Sequence, residues 1–372
     1  MRIRTIAALF SLILIVCAPF AQAADGGVAK AAAAKSYRDR NFDYFVSGDP
    51  AKPRAAHTEF GLALMGGGGN VDAAFRFIAD HAGHGRIVVL RAADADAPFD
   101  AELGNYYGDL FVSRWGPVTS VETISFRDRE AANDPRVAKI IEGADGIFLA
   151  GGDQSRYIRD WKGTPVQAAL DVHVAANRPI GGSSAGLAIL GHYSYGALDG
   201  GSLESKVALA DPLNKGVTLE SDFLHYRFLD DVITDTHFSQ RHRLGRLITF
   251  LARLRSVAAD RAAGSIFGIG VDEKTALLIG VDGIGHLAAG SAGSAWVVQP
   301  QQAAIVLAAG KPLSIAGIRL IQLGAEGSID LKTRSVHQPV AEATIAIEDG
   351  KLVGESIASR MLTRDKPQPG ED

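Results

Sequence analysis

From about residue 58 to residue 240 the chain repeats one device: a short apolar run, a glycine-bearing turn, then an amphipathic stretch. Phe60 to Met65 is apolar and ends in Gly66-Gly67-Gly68-Gly69-Asn70. Val71 to His81 follows with helical spacing, with Val71, Phe75, Phe77 and Ile78 largely on one face. Arg86 to Leu90 and Val118 to Ile124 read as buried strands. Asp134 to Ile141 reads as a helix, with Asn133 or Asp134 capping it and Pro135 in its first turn. Gly146 to Ala150 is a strand closing on Gly151-Gly152, Pro165 to Asn177 is helical, and Pro179 to Gly182 is a short strand. Parallel neighbours need a crossover, usually a helix, so this alternation predicts a doubly wound α/β fold with helices on both faces of a mostly parallel sheet. Glycine usage agrees: 42 residues, where an average of about 7% gives roughly 26.

Composition then excludes several classes. The chain has 372 residues, 47% hydrophobic and 22% charged, which rules out wholesale disorder and allows a sizeable core. A net charge of −4 argues against a nucleic-acid partner, which selects a basic face. The single cysteine, Cys17, can build neither a clustered-cysteine metal site nor an internal disulfide.

The first 23 residues read as a signal peptide: Arg2 and Arg4, an apolar run from Ile6 to Phe20, then the small-x-small Ala21-Gln22-Ala23. Cys17 lies inside it, so the mature chain holds no thiol. The expectation is export to the periplasm or beyond, with no membrane association after cleavage. Residues 24–56 show no clear strand pattern and read as an N-terminal arm. The α/β domain is expected over 57–300. After residue 270 two hairpins with Asp-Gly turns appear, at Asp282-Gly283 and Asp349-Gly350. Residues 301–372 therefore read as a small β-rich extension ending in a loose tail, and its exposed strands suit a homodimer interface.

Chemistry concentrates at Gly182-Ser183-Ser184-Ala185-Gly186, which matches G-x-S-x-G. A serine on a sharp strand-to-helix turn needs small neighbours, and an N–H at the following helix start can receive an oxyanion. The serine then needs a base. Ten histidines are present, and His237 follows the strand-like Asp231 to Asp235, which brings it to the same sheet edge as Ser184. His173 and His81 read as surface or helix-end residues, with His192 as an outside candidate. Arg241, Arg243 and Arg246 fall within six residues at a helix start, where the dipole disfavours cations. They read either as a solvated face or as a clamp for substrate carboxylates.

Taken together, Gly151-Gly152-Asp153-Gln154, Gly181-Gly182-Ser183-Ser184-Ala185-Gly186, Asp235-Thr236-His237-Phe238 and Gln240-Arg241-x-Arg243-x-Gly245-Arg246 resemble the cyanophycinase family, which includes aspartyl dipeptidases. The early Gly66-Gly67-Gly68 turn and Gly270-Val271-Asp272-Glu273-x-Thr275-Ala276 extend the resemblance to about residues 58–300. It implies a flavodoxin-like or class I glutamine-amidotransferase-like sheet and a serine peptidase acting on β-aspartyl linkages through an acyl-enzyme. Ser184 is then the nucleophile, His237 its base, and the acid is Glu204 or Glu220. Gly152 and Ala185 supply oxyanion N–H groups. Gln154, Asp235, Thr236, Arg241, Arg243 and Arg246 correspond to the pocket for a β-linked aspartyl-arginine unit. Thr236 stands where the family's usual glutamine precedes the histidine, which shortens one pocket donor. The substrate implied is a peptide or cyanophycin-like polymer, with no metal or organic cofactor required. The alternatives are an aspartyl or isoaspartyl dipeptidase of the same fold and an inactive exported peptide-binding protein.

Other chemistries fit less well. Val71 stands where a third dinucleotide-binding glycine belongs, no Lys-Ser/Thr follows the glycines as in a P-loop, and no H-E-x-x-H pattern occurs.

Overall fold

The computed structural model describes residues 35–52, 57–93, 96–258 and 265–354; the leader expected over 1–23 and the tail after 354 lie outside the described residues. Five parallel strands form the centre, in spatial order Ser120–Phe126, Arg86–Ala92, Gly146–Leu149, Ile180–Ser183 and Leu62–Met65. Antiparallel strands extend this sheet on both sides. Phe42–Gly48 and Tyr37–Arg38 lie beyond Ser120–Phe126. Ala276–Ile279, Ile284–Leu287, Ser328–Asp330 and Ser335–His337 lie beyond Leu62–Met65.

Successive strand residues point to opposite faces, and here both faces are covered. Leu62, Leu64, Val88, Leu90, Ile147 and Leu149 join the core beneath helices Pro135–Glu142, Gln154–Trp161 and Pro165–Ala175. Ala63, Met65, Ile87, Val89 and Phe148 join a second core with helix Asp72–His81 and the π-helical turn Phe111–Trp115. This two-sided burial is why the strands read as continuous apolar runs. The helices start where local chemistry dictates: Asp134 accepts from the Arg136 N–H ahead of Pro135, and Asp153 accepts from the Ser155 N–H.

A second sheet runs Val232–Asp235, Phe267–Val271, Ala295–Pro300, Ile315–Leu323, Ala341–Glu348 and Lys351–Val353, its first pair parallel and the rest antiparallel. Helix Leu244–Val257 packs on it within a third core.

Two boundaries differ from the sequence reading. The segment taken as an arm carries Phe42–Gly48, a seven-residue strand paired along its length with Ser120–Phe126. Its Phe42, Phe45 and Val46 are buried, so the aromatic run is a strand rather than a linker. The region after 301 is β-rich as expected, yet it is integral to both sheets. Ile315–Leu323 pairs with Ala295–Pro300 on one side and Ala341–Glu348 on the other. Among the described residues no helix is long and apolar enough to cross a membrane.

Candidate active site

Open α/β sheets bind ligands beyond the carboxyl ends of their strands. Five strand ends converge here: Leu62–Met65 leads into the Gly66 turn, Gly146–Leu149 into Gly151-Gly152, and Ile180–Ser183 into Ser184. From the second sheet, Val232–Asp235 leads to Thr236-His237, and Phe267–Val271 to Asp272-Glu273.

Ser184 sits at φ 52°, ψ −118° between its strand and the short helix Ala185–Ala188. Few non-glycine residues adopt such a backbone, which costs of order 1–3 kcal/mol and persists only where the surroundings impose it. The neighbouring glycines allow it. A Cβ on Gly182 would lie 2.5 Å from the Gly186 carbonyl, and one on Gly186 would lie 2.1 Å from the Leu149 oxygen. The turn is pinned by the Ser184 N–H donating to the Met65 carbonyl at 3.1 Å and by Thr234 Oγ1 donating to the Leu187 carbonyl at 2.8 Å.

Ser184 Oγ lies 2.7 Å from His237 Nε2, and His237 Nδ1 lies 2.6 Å from Glu273 Oε1. An ionised carboxylate only accepts, so Nδ1 carries the proton and Nε2 is left to accept from the serine hydroxyl. His237 also has positive φ, 45°, and its N–H donates to the Gly66 carbonyl at 2.9 Å. Gly67 makes room for the ring: a Cβ there would come within 2.5 Å of His237 Cε1. Glu273 is fixed in turn by the Gln240 side chain, whose Oε1 accepts from its N–H at 2.9 Å. Burial, then the Arg241 and Arg243 charges, hold the imidazole below its ordinary 6.5, against the opposing pull of Glu273. The base is therefore neutral at neutral pH.

The carboxylate at His237 is thus Glu273, neither Glu204 nor Glu220. Glu204 precedes helix Ser205–Ala210, and Glu220 Oε2 accepts from Lys162 Nζ at 2.8 Å. Glu273 reaches the histidine because Val232–Asp235 and Phe267–Val271 are parallel neighbours with Asp235 opposite Gly270. The loops leaving the two strands start side by side.

The three arginines have three different environments. Arg246 is buried and engaged from within. Its Nε donates to Asp235 Oδ2 at 2.8 Å, its Nη2 pairs with Asp235 Oδ1, and its Nη1 donates to Ser202 Oγ at 2.8 Å. Arg246 and Asp235 therefore form an internal ion pair that props the pocket rather than the expected substrate contacts. Arg243 is also buried, donating to the Thr236 carbonyl at 2.9 Å and Thr236 Oγ1 at 2.8 Å. The shorter residue at 236 thus accepts from the arginine. Burial, with Arg246 nearby, lowers the Arg243 pKa to about 9, which leaves it charged at neutral pH. Arg241 stands at the mouth, 39% exposed, its Nε 3.9 Å from Glu273 Oε1.

Of the remaining expected positions, Gly152 and Gln154 follow strand Gly146–Leu149, and Ala185 follows the serine itself. Gly152, at φ +145°, precedes helix Gln154–Trp161, which Gln154 begins. Tyr157 Oη donates to the Ala150 carbonyl at 2.8 Å and more weakly to the Gly151 carbonyl at 3.3 Å. In a planar trans peptide the Gly152 N–H then points the opposite way, away from Tyr157. Ala185 opens the helix after the serine, where N–H groups have no intrahelical acceptor.

Of the other histidines, His173 is not a surface residue. It is fully buried, its Nε2 donates to the Pro179 carbonyl at 3.0 Å, and burial lowers its pKa to about 4. Val166, Ala169, Leu170 and His173 form one buried helical stripe, a periodicity visible in the sequence. His192 accepts from the Asp231 N–H at 3.4 Å and lies against Tyr193 and His225, while the nitrogen that meets the serine is that of His237.

A doubly wound α/β sheet carrying hydrogen-bonded serine, histidine and carboxylate at its strand ends defines a serine hydrolase class. Residues 118–283 match the family model of Peptidase family S51. The chain is 31% identical over 221 residues to a cyanophycinase of Trichormus variabilis, covering 58% of this chain and 67% of that protein. It is also 31% identical over 240 residues to a cyanophycinase of Synechococcus elongatus, covering 63% and 67%. A crystal structure of a peptidase from an acI-B1 Actinobacterium aligns with a TM-score of 0.45 and 16% identity, over 74% of this chain and 98% of that one. The chain belongs to the S51 peptidases, the cyanophycinase family, and is a serine-type peptidase.

Proposed function

We propose that this peptidase hydrolyses β-aspartyl linkages through a covalent acyl-enzyme on Ser184. The observation that carries the mechanism is the unbroken relay from Ser184 Oγ to His237 Nε2 and from Nδ1 to Glu273. In this reading Ser184 attacks the carbonyl carbon of the aspartyl side-chain amide while its proton passes to His237 Nε2. The carbonyl oxygen becomes an oxyanion beside the Gly152 and Ala185 N–H groups. His237 then protonates the departing amine, leaving an ester on Ser184. Water adds to that ester with His237 again as base, and Ser184 leaves with the returned proton. Glu273 holds the imidazole in the required tautomer and stabilises its charged form.

The β-aspartyl substrate is supported by the relatives named cyanophycinase and by a cation at the mouth. Arg241 is exposed enough to meet a free carboxylate, and Arg243 donates to Thr236, the residue before the base. Hydrolysis of a panel of cyanophycin, β-Asp-Arg, β-Asp-Lys and α-Asp-Arg tests the reading. Release of product from the β-linked members alone is expected, whereas preference for the α-linked peptide overturns it. A polymer that resists while β-Asp-Arg is cut marks a dipeptidase instead. Export is part of the proposal, supported by the leader-like residues 1–23. Recovery of a chain beginning near Ala24 outside the cytoplasm is the expected result; a cytoplasmic, full-length product contradicts it.

A further inference from the structure

The hydrogen bond between His237 and Glu273 joins two loops that leave neighbouring parallel strands, Val232–Asp235 and Phe267–Val271. A glutamate side chain is long and rotatable, so the 2.6 Å contact persists only where its backbone is fixed against that of the histidine.

The residue before Glu273 supplies that fixing. Asp272 is 5% exposed, and its carboxylate gathers N–H donors from two directions. Oδ1 accepts at 2.9 Å from the N–H of Ser239, two residues beyond His237. It also accepts from Trp296 Nε1 at 3.2 Å, while Oδ2 accepts from the Ser294 N–H at 3.0 Å. The Asp272 N–H in turn donates to the Ser294 carbonyl at 3.1 Å. One side chain thus ties together the histidine loop, the glutamate loop and the entry to strand Ala295–Pro300.

The surrounding backbone is set closely as well. The Phe238 N–H donates to the Val271 carbonyl at 3.1 Å, and the His237 N–H to the Gly66 carbonyl at 2.9 Å. A Cβ on Gly66 would lie 2.0 Å from the Asp272 carbonyl oxygen, and one on Gly293 would lie 2.6 Å from Asp272 Cβ. A carboxylate suits the place, because an ionised one only accepts and donors face both of its oxygens; an amide would turn its own N–H groups toward one of them. Burying such a group costs stability unless hydrogen bonds answer it, and one of the answering groups belongs to the loop that carries the base.

We propose that Asp272 is a positioning residue of the peptidase: it acts through Glu273, keeping that carboxylate on His237 Nδ1 by clamping the histidine loop to the strand behind it. The proposal rests on the serine-peptidase reading above and adds to it a residue outside the relay.

The test follows covalent labelling of Ser184 by a fluorophosphonate, which needs no peptide substrate, in the wild-type chain, Asp272→Asn, Glu273→Ala and the double variant. Asp272→Asn labels about 10–100-fold more slowly, the order of loss that a misplacement of about 1 Å brings. The double variant labels no more slowly than Glu273→Ala, because the two residues act as one unit. In Asp272→Asn the acid limb of labelling moves to lower pH, since Glu273 raises the imidazole pKa against burial, Arg241 and Arg243. Equal labelling by Asp272→Asn, an unmoved acid limb, or losses that multiply in the double variant each overturn the proposal and leave the triad intact. A wild-type chain that takes no label overturns the peptidase reading itself, and the proposal with it. Should Asp272→Asn melt below the assay temperature, Gly293→Ala carries the test, because its Cβ displaces the Asp272 side chain from outside the loops of the triad. Slowing by Gly293→Ala that disappears in the Glu273→Ala background upholds the proposal; a folded Gly293→Ala that labels like the wild type overturns it.

Discussion

At the scale of single residues, the account depends on three groups that lie far apart in sequence. Ser184→Ala deletes one hydroxyl from a rigid turn, so kcat should drop by several orders of magnitude with the fold retained. Steady-state kinetics beside a circular-dichroism melt checks both halves; near-normal turnover contradicts the nucleophile. Glu273→Ala should lower kcat by roughly 10²–10⁴-fold because the imidazole loses the group that fixes its tautomer. Glu220→Ala, which loses only a lysine pair, serves as the comparison. The pH profile carries a sign of its own. A base held below 6.5 loses activity on acidification only below that value, so the acid limb of kcat/KM should lie under pH 6.5. Arg241 contributes to the lowering, and Arg241→Gln should move the limb upward. The serine and histidine were legible because each sits in a compact local pattern. Glu273 was not, since it meets His237 only through the parallel pairing of two strands. The available signal was its place just beyond the end of an apolar strand, the same place His237 occupies.

At the scale of elements, the cluster at the start of helix Leu244–Val257 is a buried framework with one exposed member. Arginine spacing cannot say which guanidiniums face inward; that follows from how the helix packs on the second sheet. The Asp235–Arg246 pair is internal, so Asp235→Ala leaves a buried cation unanswered, a loss of roughly 3–5 kcal/mol. Urea unfolding of the variant measures it. A change within about 0.5 kcal/mol, as at ordinary surface sites, contradicts the assignment. Helix Pro165–Ala175 carries the second titrating element. His173 holds the Pro179 carbonyl, which also accepts from the Ile147 N–H at 3.1 Å just before the strand that ends at the serine. Its pKa is about 4 when folded and near 6.5 when unfolded, so between those values the unfolded state binds more protons. Its contribution is fully present above pH 6.5 and declines as pH falls toward 4, by about 3 kcal/mol at most. His173→Gln should flatten that part of the stability profile; an unaltered slope from pH 6.5 to 4 contradicts it.

For the whole molecule, alternating strands and helices disclosed the centre of the first sheet and the Asp282-Gly283 turn disclosed a hairpin at its flank, while strands outside these patterns stayed hidden. Phe42–Gly48 precedes the alternation, and Ile315–Leu323 follows it, so neither shares in the repeated pattern that marks the core. Both have buried faces within the folded chain. A chain ending at residue 300 would remove one of the two strand partners of Ala295–Pro300 together with the buried Leu320, Ile321, Leu323, Ile345 and Ile347. It should therefore fail to give a cooperative thermal transition, and a folded, active truncation would contradict the integrated second sheet. The relay that this architecture assembles is tested most directly by intact-protein mass spectrometry after treatment with a fluorophosphonate, with peptide mapping of the product. The account predicts one covalent adduct, on Ser184, formed far more slowly in His237→Ala and slowed in Glu273→Ala. An adduct on another residue, or equal labelling of Ser184 in all three proteins, would contradict it.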